Sequence, residues 1–392
     1  MRRTAVLVPC GLALGVVVLP TGIAQSQAKP TANYWMTVET ESGFAGSSRT
    51  MDLRLYSTGS AAPPQAAHVV PGGMKIGPSL PLVTPQTPRA TPSEVDGLRE
   101  LQRQSGKLGR MLLYWGCGEK AGAGQPFVLD LNAILQGRFP AGLSALRIVG
   151  STPPSSRSAK TYGEWPRPDS PAIPGEASLV GDHTVSGNYS PEIRFSLARD
   201  FMGPMSLKVD AMPSGAGNAS WPAVGGALGY SLQSFGLNAG GDFVVWTSSN
   251  VRDFGSGLSS HIPDAEVARL IRQRAVLPPS TTTCAVPQEV LSGVEGSFIN
   301  SMAYGGEQNF SFPPKPPRAP KSWKPTWAAK VRFLSTGSAI VAAGQGSMTL
   351  PSIPTVSLPP GITLPPGITL PPGITLPPGI TLPPGVTIPG GG

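Results

Sequence analysis

Cys117 is the residue of this sequence best placed to act as a nucleophile. It stands between Gly116 and Gly118 after a short apolar segment, so a tight turn would present the thiol at the end of a strand. A cysteine hydrolase also needs a base and a carboxylate that orients the base. The residues that could take these two parts are His183, with Asp182 or Glu119.

The same residues have a structural interpretation, which we favour. The two glycines then serve the geometry of the turn, Cys117 is buried or bridged, and His183 is a loop histidine. Cys117 and Cys284 are the cysteines that follow the apolar N-terminal segment, and an oxidising compartment would allow one disulfide between them. Pairing requires a Cα separation of about 4.4–6.8 Å, which the sequence does not specify.

Carboxylates offer a second route to hydrolysis, because two of them at a suitable separation can cleave a glycosidic bond. Acidic residues are scattered through the chain, among them Glu39, Glu119, Asp130, Asp182 and Glu192. The motif HExxH, a paired CxxC, a P-loop and the spacing of a calcium loop do not occur. The sequence therefore predicts no metal and no cofactor.

Two tryptophans, Trp323 and Trp327, are candidates for binding. They lie in the Pro- and Lys-rich stretch 313–330, where rings exposed beside cations could contact a polymer or a partner. The alternative is that this stretch packs on the domain that precedes it.

The N-terminus indicates export. Arg2 and Arg3 precede a nearly unbroken apolar run over 5–19, and small residues suited to cleavage follow, the last of them Ala28. An uncleaved anchor is the alternative, but it would need roughly 20 apolar residues. We expect a signal peptide within 1–28, cleaved after Ala24 or Ala28. Because no later segment is long and apolar enough to cross a bilayer, we expect a periplasmic, cell-surface or secreted product.

The composition favours strands and turns. Gly (49) and Pro (46) are abundant, and charged residues make up only 13% of the chain. This predicts a mainly β fold with one or more β-sandwich-like domains, one or two short helices, long Pro/Gly loops and a disordered C-terminal tail. The net charge of +8 is not gathered into a Lys/Arg cluster with aromatics, so no nucleic-acid partner is predicted. The expected partners are an envelope surface, a polysaccharide or another envelope protein.

Residues 32–200 have the pattern of an N-terminal β-rich domain with Pro-rich loops. Alternating residues over 34–40 and 51–56 predict two strands. The segment Thr-Pro-Ser-Glu that begins at 91 has the signature of a helix start, which predicts a short helix to about 104.

The following part of the chain resembles a known family. Trp221 and Pro222 at the end of one strand, then a small turn, then Tyr230 at the start of the next strand resemble the passage from strand B to strand C in fibronectin type III-like sandwiches. The resemblance covers about 204–312 and implies a β-sandwich with Trp221 and Tyr230 in its core. An amphipathic helix predicted at about 264–276 would be an insertion in that family.

The C-terminal part is predicted to contain a Pro-rich linker and a final strand over 313–345, followed by a low-complexity tail over 346–392. From Leu358 the tail repeats Leu-Pro-Pro-Gly-Ile-Thr, and glycine at every sixth position does not meet the requirement of collagen. Repeated proline removes backbone donors, and repeated glycine raises the entropy cost of ordering. The tail is therefore predicted to be either a spacer or a segment that contacts another surface.

Two further similarities are short. Residues 53–61 and 331–339 both run from a strand with a central arginine into Ser-Thr-Gly-Ser-Ala, and chance and a duplicated domain edge are both possible origins. The blocks 109–119 and 277–284 resemble blocks of exported bacterial proteins. That resemblance implies family membership and no particular activity.

The predicted function is that of an exported, non-catalytic cell-envelope or secreted protein with a binding or structural role. The alternative is a secreted hydrolase that uses Cys117 or a carboxylate pair. A bridge between Cys117 and Cys284 would favour the first function, since it would remove the nucleophile.

Overall fold

The fold is known from a computed structural model. The predicted signal peptide, the predicted helix at 91–104 and the repeat tail lie outside the residues that it describes. The residues that it describes are mainly β, as predicted. The described residues are 31–43, 46–85, 109–138, 140, 146–150, 159–252, 257–320 and 323–342.

The elements of the described ranges are sixteen strands and three short α-helices, together with one 3-10 turn at Gly72–Met74. The strands are β1 Ala32–Gly43, β2 Gly46–Ser57, β3 Ala66–Val69, β4 Ser79–Pro81, β5 Arg110–Trp115, β6 Phe127–Asp130, β7 Thr161–Trp165, β8 Gly181–Gly187, β9 Ser190–Leu197, β10 Lys208–Ala211, β11 Gly217–Ser220, β12 Gly229–Asn238, β13 Phe243–Thr247, β14 Thr283–Val286, β15 Val294–Phe312 and β16 Trp327–Ala342. The helices are α1 Leu131–Leu135, α2 Asp264–Arg272 and α3 Gln288–Leu291.

The strands form one large sheet and two small ones. The large sheet has nine strands in the order β6-β5-β13-β12-β15-β16-β1-β2-β7, and the small sheets have the orders β4-β3-β8-β9 and β10-β11-β14. Strands from 32–200, from 204–312 and from 313–345 are therefore neighbours in the large sheet. Within it β1, the first described strand, pairs in parallel with β16, the last described strand.

Alternation along β1 shows how the large sheet meets the core. Tyr34, Met36 and Val38 are fully buried, while the residues between them are half-buried on the other face. The period of two that separates the faces of a strand places these three side chains together. One apolar core then joins all three sheets, with Phe195 of β9 and Val209 of β10 among its members.

Trp221 and Tyr230 are both buried in this core, as predicted. Their side chains are 4% and 1% exposed, and their ring centroids are 5.5 Å apart. The Tyr230 hydroxyl also accepts a hydrogen bond from the Val224 backbone N–H at 3.0 Å, which ties the ring to the turn between the strands. The resemblance to fibronectin type III-like sandwiches itself stays a prediction.

The variant Trp221→Ala should lower the free energy of unfolding by about 3–5 kcal/mol, because truncating a buried aromatic side chain leaves a cavity. Chemical denaturation of the full chain measures the change. Phe235→Ala is the matched control, since Phe235 is 40% exposed and its truncation should cost about 1 kcal/mol or less. Similar losses in the two variants would contradict the core position of Trp221.

A second, smaller core lies where α2 covers the large sheet. Val267 and Leu270 of α2 pack with Tyr304 of β15 and Leu334 of β16. The predicted helix at 264–276 is present but ends at Arg272, because Arg274 has a left-handed backbone with φ of 58°. Acidic residues in the first turn and arginines in the last turn suit the helix dipole.

A β-bulge divides β15 into two parts. Tyr304 pairs with Leu334 and Glu307 with Arg332, so two glycines, 305 and 306, stand opposite the single residue Phe333. Only glycine fits at 305, since a Cβ there would stand 2.7 Å from the Phe333 carbonyl oxygen. The extra residue reverses which side chains face the core. Glu307 therefore lies on the face opposite the main core.

Candidate functional site

Cys117 and Cys284 form a disulfide with an S–S distance of 2.09 Å and a Cα–Cα distance of 5.1 Å. The bridge joins the turn after β5 to β14, and the Gly118 N–H donates to the Ala285 carbonyl oxygen at 3.0 Å beside it. Gly116 has a φ of 90° and its N–H donates to the Thr247 carbonyl, so the turn is fixed on both sides. The bridged Cys117 has no thiol to act as a nucleophile.

His183 and Asp182 do not form a catalytic group with Cys117. The two residues are neighbours on β8 and point to opposite faces of the strand, with His183 buried and Asp182 exposed. Both ring nitrogens of His183 already have partners, His68 at 3.0 Å and the Leu179 carbonyl oxygen at 2.8 Å. The candidate group of nucleophile, base and orienting carboxylate is therefore wrong.

His183 instead belongs to a buried hydrogen-bonded chain. Its Nε2 donates to the Leu179 carbonyl, so its Nδ1 accepts from His68 Nε2, and His68 Nδ1 accepts from the Tyr34 hydroxyl at 2.8 Å. This order satisfies each ring nitrogen only if both histidines are neutral. Burial lowers the pKa of His68 well below its usual value, and it lowers the pKa of His183 as well. The chain links β1 to the sheet of β3 and β8.

The scattered carboxylates have separate roles. Asp130 accepts hydrogen bonds from the N–H groups of Asn132 and Ala133 and so caps α1, a helix that the strand pattern did not predict. Glu192 pairs with Arg194 at 2.5 Å on the exposed side of β9. Glu119 and Asp182 are exposed. Of the five carboxylates considered in the sequence, only Glu39 lies on β1, and a second acidic residue of β1 lies beside it.

That second acidic residue is Glu41, two positions further along the same face of β1. The Glu39 carboxylate accepts a hydrogen bond from the Thr336 hydroxyl at 2.7 Å. Burial raises the pKa of Glu39. Burial, reinforced by the negative charge of Glu39, raises the pKa of Glu41 to about 7. The pair can therefore hold a proton at neutral pH.

The two candidate binding tryptophans are not free rings. Trp327 is 8% exposed at the start of β16, where it stacks on Phe312 with a centroid distance of 6.3 Å. Trp323 is half-buried, and the Lys315 ammonium lies 6.0 Å from its ring centroid. The buried position of Trp327 supports the alternative interpretation, in which this stretch packs on the rest of the protein.

A third tryptophan, Trp35, lies among cations on the face of the large sheet opposite the main core. Its in-register neighbours are Arg54 on β2 and Lys330 on β16, and Arg332 lies two residues further along β16, in register with Thr37. The guanidinium carbon of Arg332 is 4.9 Å from the Trp35 ring centroid, and the Lys330 ammonium is 5.4 Å from it. We refer to Trp35, Arg54, Lys330 and Arg332 as the Trp35 cluster.

Two of the three cations in the Trp35 cluster are paired. Arg54 lies 2.6 Å from Asp52, and Lys330 contacts Glu307. Arg332 is 7% exposed and forms no ion pair within the described residues. Burial lowers its pKa to about 10, which still leaves the guanidinium charged at neutral pH. The carboxylates of Asp52 and Glu307 are not in ion-pair contact with Arg332, but their negative charges raise its pKa against the effect of burial.

His261 borders the Trp35 cluster from the segment before α2. Its Nε2 donates to the Gly306 carbonyl oxygen at 3.4 Å, and its Nδ1 is buried without a hydrogen-bond partner among the described residues. Burial lowers the pKa of His261 to about 4, and the positive charge of Arg332 contributes. Asp264 holds the same bulge by accepting from the Glu307 N–H at 3.0 Å. The bulge thus positions Glu307 and His261 together.

No protein-family model, curated protein or solved structure matches this chain. Among the described helices, none is long and apolar enough to span a membrane. Within the same ranges, no three His, Cys, Asp or Glu side chains gather as metal ligands do. The candidate site therefore has to be judged on its own geometry.

Sequence reasoning missed the Trp35 cluster, although a signal for it was present. In both halves of the short internal repeat an arginine stands between two apolar residues, as Leu53-Arg54-Leu55 and Val331-Arg332-Phe333. Leu53 and Val331 both pair with Met36, so the two arginines project from either side of β1 onto one face. A charged residue that interrupts an apolar strand in this way is a marker for a charged sheet face.

Proposed function

We propose that this chain is an exported, non-catalytic binding protein of a cell envelope or the secreted space. The Cys117–Cys284 disulfide carries the proposal, because such bridges persist in oxidising compartments and this one removes the candidate nucleophile. The predicted signal peptide supports the same compartment. The binding surface in this proposal is the sheet face around the Trp35 cluster.

The electrostatics of that face support binding over a purely structural role. Replacing buried ion pairs by apolar residues is often neutral or stabilising, so charges contribute little to a fold for its own sake. Arg332 is buried and forms no ion pair within the described residues, and the charges of Asp52 and Glu307 act on it from further away.

A second candidate function is hydrolysis by the Glu39–Glu41 pair. The observation that favours it is the pKa of Glu41, raised to about 7 by burial and by Glu39, as a general acid requires. Its most direct substrate would be a glycoside, whose cleavage uses two carboxyl groups.

The test is a pull-down from a native envelope fraction with the immobilised full chain. The variant Trp35→Ala/Arg54→Gln removes two members of the Trp35 cluster, and Arg194→Gln, which removes an exposed cation on β9, is the matched control. We expect wild type and control to retain the same envelope material and the double variant to retain about fivefold less.

Equal retention by all three chains would contradict the proposed binding surface. New reducing ends that form in the retained material, and that disappear with Glu41→Gln, would instead establish the hydrolase. If the retained material gains no reducing ends with either wild type or Glu41→Gln, the second function is ruled out.

A further inference from the structure

We propose that a strip of the large sheet around Phe235 binds an uncharged polysaccharide, with a sugar ring against Phe235 and its hydroxyls on Asn300. This goes beyond the proposed function, because the strip is a second surface on the sheet face that carries the Trp35 cluster. Leu334 and the small core under α2 lie between the two surfaces. The strip has one apolar and one polar row across β12, β15 and β16, and we refer to these six residues as the Phe235 strip: Phe235, Phe298 and Ile340, then Gln233, Asn300 and Ser338.

Strand register places the two rows side by side. Phe298 pairs with Phe235 and Asn300 pairs with Gln233 across β12 and β15, and β16 extends each row by one residue. Ile299, which stands between Phe298 and Asn300, is fully buried in the main core. Because the side chains of a strand alternate between its two faces, both rows project from the face opposite that core.

Phe235 is the protruding ring of the Phe235 strip. It is 40% exposed, and it packs against Phe243 of β13 with a centroid distance of 5.5 Å. A ring that is already supported loses little conformational freedom when a ligand packs on it. The negative face of an aromatic ring attracts the weakly positive C–H groups on one side of a pyranose ring. The apolar row therefore suits the flat side of a sugar.

The polar row suits the hydroxyls at the edge of the same sugar. Asn300 is exposed, and its amide carries both donors and an acceptor, so it can bind two neighbouring hydroxyls at once. Gln233 and Ser338 flank it on the two adjacent strands. Two residues along a strand span about 6.8 Å and neighbouring strands are about 4.8 Å apart. A polymer that crosses the strands thus meets an apolar contact and a polar contact on each of them.

The charge of the Phe235 strip favours an uncharged ligand. None of its six side chains is ionisable. Glu41 borders the strip, because it pairs with Thr336, two residues before Ser338 on β16. Its negative charge would repel an anionic polymer, whereas its oxygens can accept a hydrogen bond from a sugar hydroxyl.

The Phe235 strip is too small for a protein interface and too polar for a membrane. Three strands by four residues cover roughly 200 Å², whereas a stable interface buries about 800 Å² on each partner. Attachment to a lipid surface needs several apolar side chains that insert between headgroups. Of the strip's members, only Phe235 is among the exposed large apolar side chains of the described residues.

The test measures binding of the full chain to four uncharged polymers by affinity electrophoresis. The polymers are hydroxyethylcellulose, dextran, mannan and laminarin. We expect at least one of them to retard the protein equally at low and at high salt, because salt screens ion pairs and the proposed contacts include none. Phe235→Ala should weaken that binding about tenfold, and Asn300→Ala should weaken it about threefold.

Two further variants are the controls. Phe235→Trp keeps an aromatic face at the same position and should retain binding. Phe312→Ala removes another exposed ring of β15, at the far end of the strand from the Phe235 strip, and should bind like wild type. Because the Phe235 and Asn300 side chains are both exposed, the two test variants are expected to fold, which thermal unfolding checks.

The proposal is overturned if none of the four polymers binds, or if folded Phe235→Ala and Asn300→Ala bind like wild type. Self-association, or binding of phosphatidylcholine vesicles, that depends on Phe235 without polymer binding would identify a second copy or a lipid as the occupant instead.

The Phe235 strip and the proposed function fail in different ways. Polymer binding that is lost in Trp35→Ala/Arg54→Gln and kept in Phe235→Ala would assign the polymer to the Trp35 cluster and overturn the strip alone. Polymer binding that depends on Phe235, with envelope retention unaffected by the double variant, would support the strip and contradict the proposed binding surface.

Discussion

A chain in which Cys117 and Cys284 are both replaced by alanine should unfold with a free energy about 5 kcal/mol smaller than wild type. The bridge joins residues 167 positions apart, and the loss of loop entropy in the unfolded chain gives about 5 kcal/mol for a loop of that length. Chemical denaturation of both chains under oxidising conditions measures the difference.

A reductant provides the control for this prediction. It should lower the stability of wild type to that of the alanine variant and leave the variant itself unchanged. A wild type that is equally stable with and without reductant would show that the bridge does not stabilise the fold. Mass spectrometry checks that the reductant has broken the bridge. Equal stability counts against the prediction only when the bridge is broken.

Acidification from pH 7 to pH 5 should destabilise wild type by about 2 kcal/mol more than the variant His68→Gln. Burial lowers the pKa of His68 well below its usual value, and a proton on His183 would lower it further, so the folded chain keeps His68 neutral. The unfolded chain takes up that proton near pH 6.5. The stabilisation is therefore complete above pH 6.5 and is lost as the pH falls, at about 1.4 kcal/mol per pH unit.

The comparison is made with His68→Gln because other groups oppose the trend. Glu41 has a raised pKa of about 7, so protonation of its carboxyl favours the folded state over the same pH range. Subtracting the change in unfolding free energy of His68→Gln from that of wild type removes the contribution of Glu41. Nitrogen chemical shifts of the imidazole rings give an independent measure, and a His68 ring that is protonated in the folded chain at pH 5 would contradict the prediction.

Local patterns predicted much of the secondary structure but little of the strand pairing. Alternation identified β1 and β2, and the amphipathic stripe identified α2, because each pattern depends on residues close in sequence. The strands β3 and β7 are only four and five residues long and were missed. The bulge at Gly305 and Gly306 reverses the alternation along β15, so no single period of two runs through that strand.

The candidate site was predictable only where it depended on one residue type. The cysteines allowed a single bridge, and the structure contains it. The Trp35 cluster combines β1 and β2 near the N-terminus with β16 some 295 residues later, as the pair Ala32–Trp327 shows. No pattern of residues close in sequence predicts that β1 pairs with β16. Likewise, His68 and His183 are 115 residues apart, and nothing in either segment indicates that the two rings meet.

The parallel pairing of β1 with β16 determines when this protein can finish folding. β1 can form its hairpin with β2 as soon as both have been synthesised, but its other edge has no partner until Trp327 and the strand after it are available. Contacts between such distant parts of a chain form slowly, and an unpaired strand edge invites association with other chains. Under the export that we propose, β1 would have to stay shielded until almost the whole described chain has crossed, and a chaperone in the receiving compartment would then be more useful to this protein than to one built from sequential hairpins.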